Sequence, residues 1–144
     1  MWISLHVHSQ YSLLDSTISP EEIVKRAKEC SMSSVALTDS GNFFGAIEFY
    51  KACNYKGLRP ILGCEIKVST NSLKEKKSSN KDYSLVLLAQ NEKGYKNLCK
   101  LSSIGYLEGF YYHPRVDKET LSKYSEGLIC LSGGILGSVA HLAL

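Results

Sequence analysis

The chain has 144 residues, 44% of them hydrophobic and 22% charged, with a formal net charge of +3. This fits one domain with a real core and excludes a disordered or fibrous chain. The mild positive charge permits an anionic partner without arguing for one, because no basic patch is interleaved with aromatics.

The first predicted strand spans residues 2–7 and ends in His6-Val7-His8. A helix follows from Ser19-Pro20-Glu21-Glu22, with Ser19 as N-cap, Pro20 in the first turn and Glu22 closing a capping box. A second strand is predicted over residues 34–37. Residues 42–56 carry the next helix, stopped by Gly57. A third strand covers residues 60–68. The lysine-rich stretch 69–81 reads as a solvated excursion, and the lysines of 74–81 as solvated rather than phosphate-binding. Residues 83–89 form a fourth strand and 91–106 a helix. Residues 117–124 form a short helix opened by Asp117, 128–131 a fifth strand and 135–144 a last helix. Strands alternating with helices imply an α/β fold with a mostly parallel sheet, either doubly wound or an incomplete βα barrel. The chain reads as a single domain over residues 1–144.

Five cysteines, Cys30, Cys53, Cys64, Cys99 and Cys130, are scattered without a CxxC pair, as reduced thiols would be. Cys64 and Cys130 lie in apolar runs and are expected in the core. No apolar run approaches the roughly 20 residues that cross a bilayer. The opening residues lack the charged and apolar regions of a signal peptide, so a cytoplasmic protein is expected.

Functional side chains of parallel α/β folds gather at the carboxyl ends of strands. His-x-His on a strand points both imidazoles to one face, a natural start for a metal site. Asp15, Asp39 and Glu65 would add carboxylates, and mixed ligation of this kind suits Zn, Mn or Fe. Two or three such ions would activate a water and neutralise a phosphoester. Plainer readings stand beside these. His-x-His can be incidental, and Asp39 can simply cap the helix opening at Asn42. Glu65, inside an apolar strand, needs a partner in either case. His113 reads as a loop residue and His141 as a surface residue.

Six stretches carry a family resemblance. His6-Val7-His8-Ser9-Gln10-Tyr11-Ser12-Leu13-Leu14-Asp15, Ala36-Leu37-Thr38-Asp39-Ser40-Gly41-Asn42 and Pro60-Ile61-Leu62-Gly63-Cys64-Glu65 resemble the three opening motifs of the PHP (polymerase and histidinol phosphatase) family. The runs 87–98, 108–117 and 125–133 are similar to the branch of that family that opens replicative polymerase subunits. The resemblance implies a distorted seven-stranded βα barrel, TIM-like, of which about five strands are present. It also implies a trinuclear metal site, with His6, His8, Asp15, Asp39 and Glu65 at ligand positions. Ser40 and Ser84 stand where the family has histidines, and Gly134 where it has cysteine. Hydroxyl and hydrogen replace three ligands. The expected site is therefore eroded, holding at most one Zn or Mn weakly, with no phosphoesterase or proofreading activity. Five strands cannot close a seven-stranded barrel, so the chain reads as an amino-terminal fragment of a PHP domain. Its open edges invite self-association. The resemblance further implies a structural role beside the rest of a polymerase subunit, a DNA-directed DNA polymerase whose catalytic carboxylates lie outside this segment. A proofreading subunit and DNA would be partners in the full assembly. The alternative is a free-standing metal-dependent phosphoesterase.

Overall fold

The computed structural model describes residues 2–76 and 81–143. The chain forms two compact units, residues 1–64 and 65–144. Its elements are α1 (Pro20–Glu29), β1 (Ser34–Leu37), α2 (Ala46–Lys56), β2 (Arg59–Ser69), β3 (Asp82–Ala89), α3 (Glu92–Leu107), β4 (Arg115–Asp117), α4 (Lys118–Lys123), β5 (Leu128–Leu131), a 3-10 turn (Gly134–Leu136) and α5 (Ser138–Ala143). The strands form a mixed five-stranded sheet in the order β1-β2-β3-β5, with β4 also on β2.

In the first unit, α1 starts where its capping box predicts. Ser19 Oγ accepts the Glu22 N–H at 3.2 Å, and the Glu22 carboxylate accepts the Ser19 N–H at 3.1 Å. The i, i+1, i+4 set Ile23, Val24 and Ala27 then faces a core of Val35, Leu37, Phe49, Cys53 and Leu58. Burying each large aliphatic or aromatic side chain there stabilises the unit by about 2 kcal/mol. Burial also pushes the Cys53 thiol up to about 11, which keeps it an inert, protonated core residue. Strand β1 pairs in parallel with the start of β2, Ser34 opposite Arg59 and Leu37 opposite Leu62.

Two boundaries differ from the sequence expectation. Residues 2–7 form no regular strand. The Ala36 N–H reaches Ser4 O at 3.0 Å and the Thr38 N–H reaches Val7 O at 2.8 Å, so three steps on one segment match two on the other. The Val7 N–H turns instead to the Thr38 hydroxyl at 2.8 Å, and the ladder is broken. Helix α2 begins at Ala46 rather than Asn42. The Asn42 side chain accepts the Phe44 N–H at 3.1 Å and donates to Tyr11 O at 3.0 Å, a local turn that competes with helix. The predicted stop holds: Gly57 takes φ 69°, a left-handed cap open to glycine at little cost.

In the second unit, α3 packs on β3, β4 and β5 and buries Leu98 and Leu101. Asn91 caps it, accepting the Gly94 N–H at 3.0 Å. Strand β4 is an addition to the expected elements. It is only Arg115–Asp117 and pairs in parallel with Lys67–Ser69 of β2. The expected mostly parallel sheet is mixed, with β5 antiparallel to β3 in the register Val86–Leu131 to Ala89–Leu128. The Gln90 N–H closes that pair on Gly127 O at 2.9 Å. Cys64 is fully buried as expected, but Cys130 is exposed, because β5 ends the strand order with β3 as its neighbour among the described strands. The last predicted helix is split by the backbone of Gly137 into the 3-10 turn and α5. Of the expected excursion 69–81, residues 77–80 lie outside the described residues, as does the side chain of His141. The described part is anchored rather than merely solvated. Leu73 is buried, and its N–H donates to the Asp117 carboxylate at 3.2 Å. No helix among the described residues is long and apolar enough to cross a membrane.

Candidate metal centre

The His-x-His segment of the first unit behaves as its alternation predicts. Val7 packs on the core, and the two imidazoles share the other side. Their Nε2 atoms lie 3.3 Å apart, with the rings edge to face at 5.0 Å between centroids. His6 is exposed and His8 half-buried.

Asp39 follows β1 and is 1% exposed. Its Oδ1 accepts the Ser9 N–H at 2.6 Å and the Ser12 hydroxyl at 2.7 Å, and its Oδ2 accepts the Ser9 hydroxyl at 2.8 Å. Ser12 Oγ in turn accepts the Ser40 N–H at 3.0 Å. The carboxylate is thus the hub that folds the loop after His8 onto the end of β1. It does not cap α2, whose N-cap is Gly45 and has no side-chain cap. Asp15 is exposed, and its backbone N–H closes a turn on Ser12 O at 3.0 Å.

Glu65 belongs to the second unit, within β2, and is 8% exposed. Ser84 of β3 donates its hydroxyl to Glu65 Oε1 at 2.7 Å. Lys67, two residues along the same strand, places Nζ 3.5 Å from that oxygen and donates to Ser84 Oγ at 2.5 Å. Gly133 has φ 70° and passes against the Ser84 backbone so closely that a Cβ there would collide with its carbonyl. Gly134 also has a positive φ, 61°, with open space where a side chain would stand.

A multinuclear metal centre does not fit these residues. Ser40, Ser84 and Gly134 offer no good ligand to Zn or Mn. Asp39 is held by three hydrogen bonds to its own loop, and Glu65 by a hydroxyl and an ammonium. Ser9, Ser12 and Lys67 carry these substitutions, and they were not singled out from the sequence. Lys67 had a signal, since i and i+2 on a strand share a face and a buried glutamate needs a counter-charge.

A charge cluster around the buried Arg115 was not foreseen from the sequence. Arg115 is 1% exposed and pairs with Asp82 at 3.4 Å. It also donates to Gly109 O at 3.2 Å and Glu75 O at 3.0 Å, and lies 5.1 Å from the centre of the Tyr111 ring. His113 Nε2 meets Asp82 Oδ2 at 3.0 Å. Gly109 is required there, because any Cβ would strike the Arg115 carbonyl. A groove lined by Val24, Glu48, Ala52 and Tyr55 lies between α1 and α2, and none of the predicted ligands lines it.

The PHP domain model matches residues 4–144. The chain belongs to the PHP domain family. It is 52% identical to the DNA polymerase III subunit alpha of Chlamydia trachomatis, over 99% of this chain and 12% of that protein. The subunit of the same name from Borreliella burgdorferi is 55% identical over 99% of this chain and 13% of its own length. That of Aquifex aeolicus is 43% identical over 99% of this chain. The matched segment is the amino-terminal region of these subunits, so the chain spans about one-eighth of the relatives it resembles. Two solved structures share the PHP-type fold. A Bifidobacterium adolescentis protein assigned as a metal-dependent phosphoesterase aligns over 72% of this chain and 32% of its own, with a TM-score of 0.52 and 19% identity. A Chromobacterium violaceum amidohydrolase, with sulfate and no metal, aligns over 72% of this chain and 32% of its own, with a TM-score of 0.54 and 24% identity. These likenesses support the fold alone, an α/β sheet consistent with an incomplete TIM-like barrel.

Proposed function

We propose that this PHP chain is a structural part of a bacterial replicative polymerase, the DNA polymerase III alpha subunit, and does not itself hydrolyse phosphoesters. Identity of 43–55% over 99% of the chain supports the polymerase context. The observation that carries the scaffold role is the state of the two buried carboxylates. Asp39 organises its own loop, and Glu65 is neutralised by Lys67 and Ser84. Both serve the fold.

The remainder of the subunit is the first partner, with a proofreading subunit and DNA joining in the full cytoplasmic assembly. Nucleotide transfer belongs to carboxylates elsewhere in that assembly. His6 and His8 keep the donor type for one weakly held Zn or Mn ion. Asp15 and Asp39 match ligand positions of the family by resemblance, and the Asp39 carboxylate is engaged by its own loop. The free-standing phosphoesterase reading is not favoured, because it leaves Ser40, Ser84 and Gly134 without a catalytic purpose.

An antibody raised against this chain tests the polymerase context in extracts of the source cell. The expected band is several times larger than 16.0 kDa and co-purifies with replication proteins. A band at the size of this chain alone would contradict the proposal.

A further inference from the structure

We infer that Lys67 is a built-in counter-cation: its ammonium neutralises Glu65 in place of a metal and closes that carboxylate to divalent ions. All the groups involved lie in the second unit. Glu65 and Lys67 are alternate residues of β2, so their side chains leave the same face of the strand. Glu65 and Ser84 are buried, while the Lys67 side chain is 30% exposed and ends at the other two.

Hydrogen-bond chemistry fixes the order of the three groups. An ammonium can only donate, so Ser84 Oγ must accept from Lys67 across the 2.5 Å contact. The hydroxyl then has one proton, which it gives to Glu65 Oε1 at 2.7 Å. Ser84 is therefore a relay between cation and carboxylate, and its oxygen is committed on both sides. Serine at the family's histidine position and lysine two residues after Glu65 form one device, and either alone leaves it incomplete.

An ion on Glu65 would sit about 2 Å from a carboxylate oxygen. The Lys67 ammonium is 3.5 Å from Oε1, so a divalent charge would meet it at close range in a poorly solvated place. Metal and lysine compete for one carboxylate, and the lysine is covalently present at all times.

This inference deepens the scaffold reading and rests on it for the view that Glu65 is a former ligand. Mn(II) is the suitable probe, because the five cysteines would draw Zn to thiols. Binding is followed through the paramagnetic resonance signal of free Mn(II), for the unaltered chain, Lys67→Met, Lys67→Arg and the Lys67→Met/Glu65→Gln pair. Lys67→Met should bind Mn(II) roughly tenfold or more tightly than the unaltered chain, on the scale that neighbouring groups exert on metal ligands. Its thermal midpoint should rise when Mn(II) replaces EDTA. Lys67→Arg should behave like the unaltered chain, and the pair should lose the gain.

Equal Mn(II) affinity in Lys67→Met and the unaltered chain would overturn the inference. So would a gain that survives Glu65→Gln, or a Lys67→Met chain that is unfolded and not refolded by Mn(II). Metal-dependent hydrolysis by the unaltered chain would sink the scaffold reading instead, and the affinity comparison separates the two failures.

Discussion

Asp39 and Glu65 are both buried carboxylates at family ligand positions, yet their surroundings differ in kind. Asp39 receives neutral donors only, a backbone N–H and two serine hydroxyls from residues 9–12. Among the described contacts, Glu65 receives the Ser84 hydroxyl and the full positive charge of Lys67. Their places in the fold explain the contrast. Asp39 lies beyond the end of β1, where an irregular loop can turn several donors inward. Glu65 lies inside β2, where backbone amides point along the sheet and belong to the ladder. A mid-strand carboxylate has its i±2 and cross-strand neighbours to call on, and these are Lys67 and Ser84. The loop carboxylate is stabilised by neutral hydrogen-bond donors, and the strand carboxylate by an opposite charge.

Asp82, half-buried beside the fully buried Arg115, extends the comparison to a complete ion pair. Arg115→Ala should be the most damaging substitution, costing about 3 kcal/mol or more, because Asp82 loses its guanidinium and the Gly109 and Glu75 carbonyls lose their donor. Urea unfolding followed by circular dichroism measures it. A loss under about 1 kcal/mol would mean that the pair is not closed to water.

Asp39→Ala should cost about 3 kcal/mol, since the Ser9 N–H and two hydroxyls lose their acceptor together. Mn(II) should neither worsen nor rescue this variant. A loss of metal affinity with unchanged stability would turn Asp39 back into a ligand and break the contrast with Glu65.

The smallest effect concerns Asp117, the N-cap of α4. Burial pushes its pKa up, but hydrogen bonds from Thr120 and the Leu73 N–H outweigh that and hold it below the usual carboxylate value. A depressed folded pKa contributes stability above the unfolded pKa, about 4, and that contribution is lost as pH falls through the folded value. Asp117→Asn should therefore be less acid-sensitive than the parent below about pH 4, with a difference of about 1 kcal/mol or less near neutrality. Parallel acid-unfolding curves for the two chains would contradict this assignment.

Much of the fold was legible because local chemistry dictated it. The Ser19–Glu22 box, the Asp117 cap and the Gly57 stop each mark their element from local chemistry. The His6–His8 pairing was equally legible, since alternation in an extended segment needs no tertiary information. What escaped depended on partners distant in sequence. The Thr38 hydroxyl diverts the Val7 amide and breaks a strand that residues 2–7 otherwise encode. Asn42 prefers Tyr11 O and the Phe44 amide to starting a helix. Strand β4 is too short to show a period, and it exists because Arg115 is held by Asp82, Gly109 and Glu75. Cys130 sits in an apolar run and is nonetheless exposed. The missing ligands at 40, 84 and 134 could be read directly, but the replacement of a metal charge by Lys67 required the contact itself.

A chain that holds its ancestral metal site closed and serves as a scaffold should have no metal-dependent chemistry of its own. The most direct test is hydrolysis of a simple phosphomonoester by the purified chain, with Mn(II) or Zn(II) and with EDTA. The same rate is expected in all three conditions. Metal-dependent turnover that His8→Ala abolishes would contradict the scaffold role.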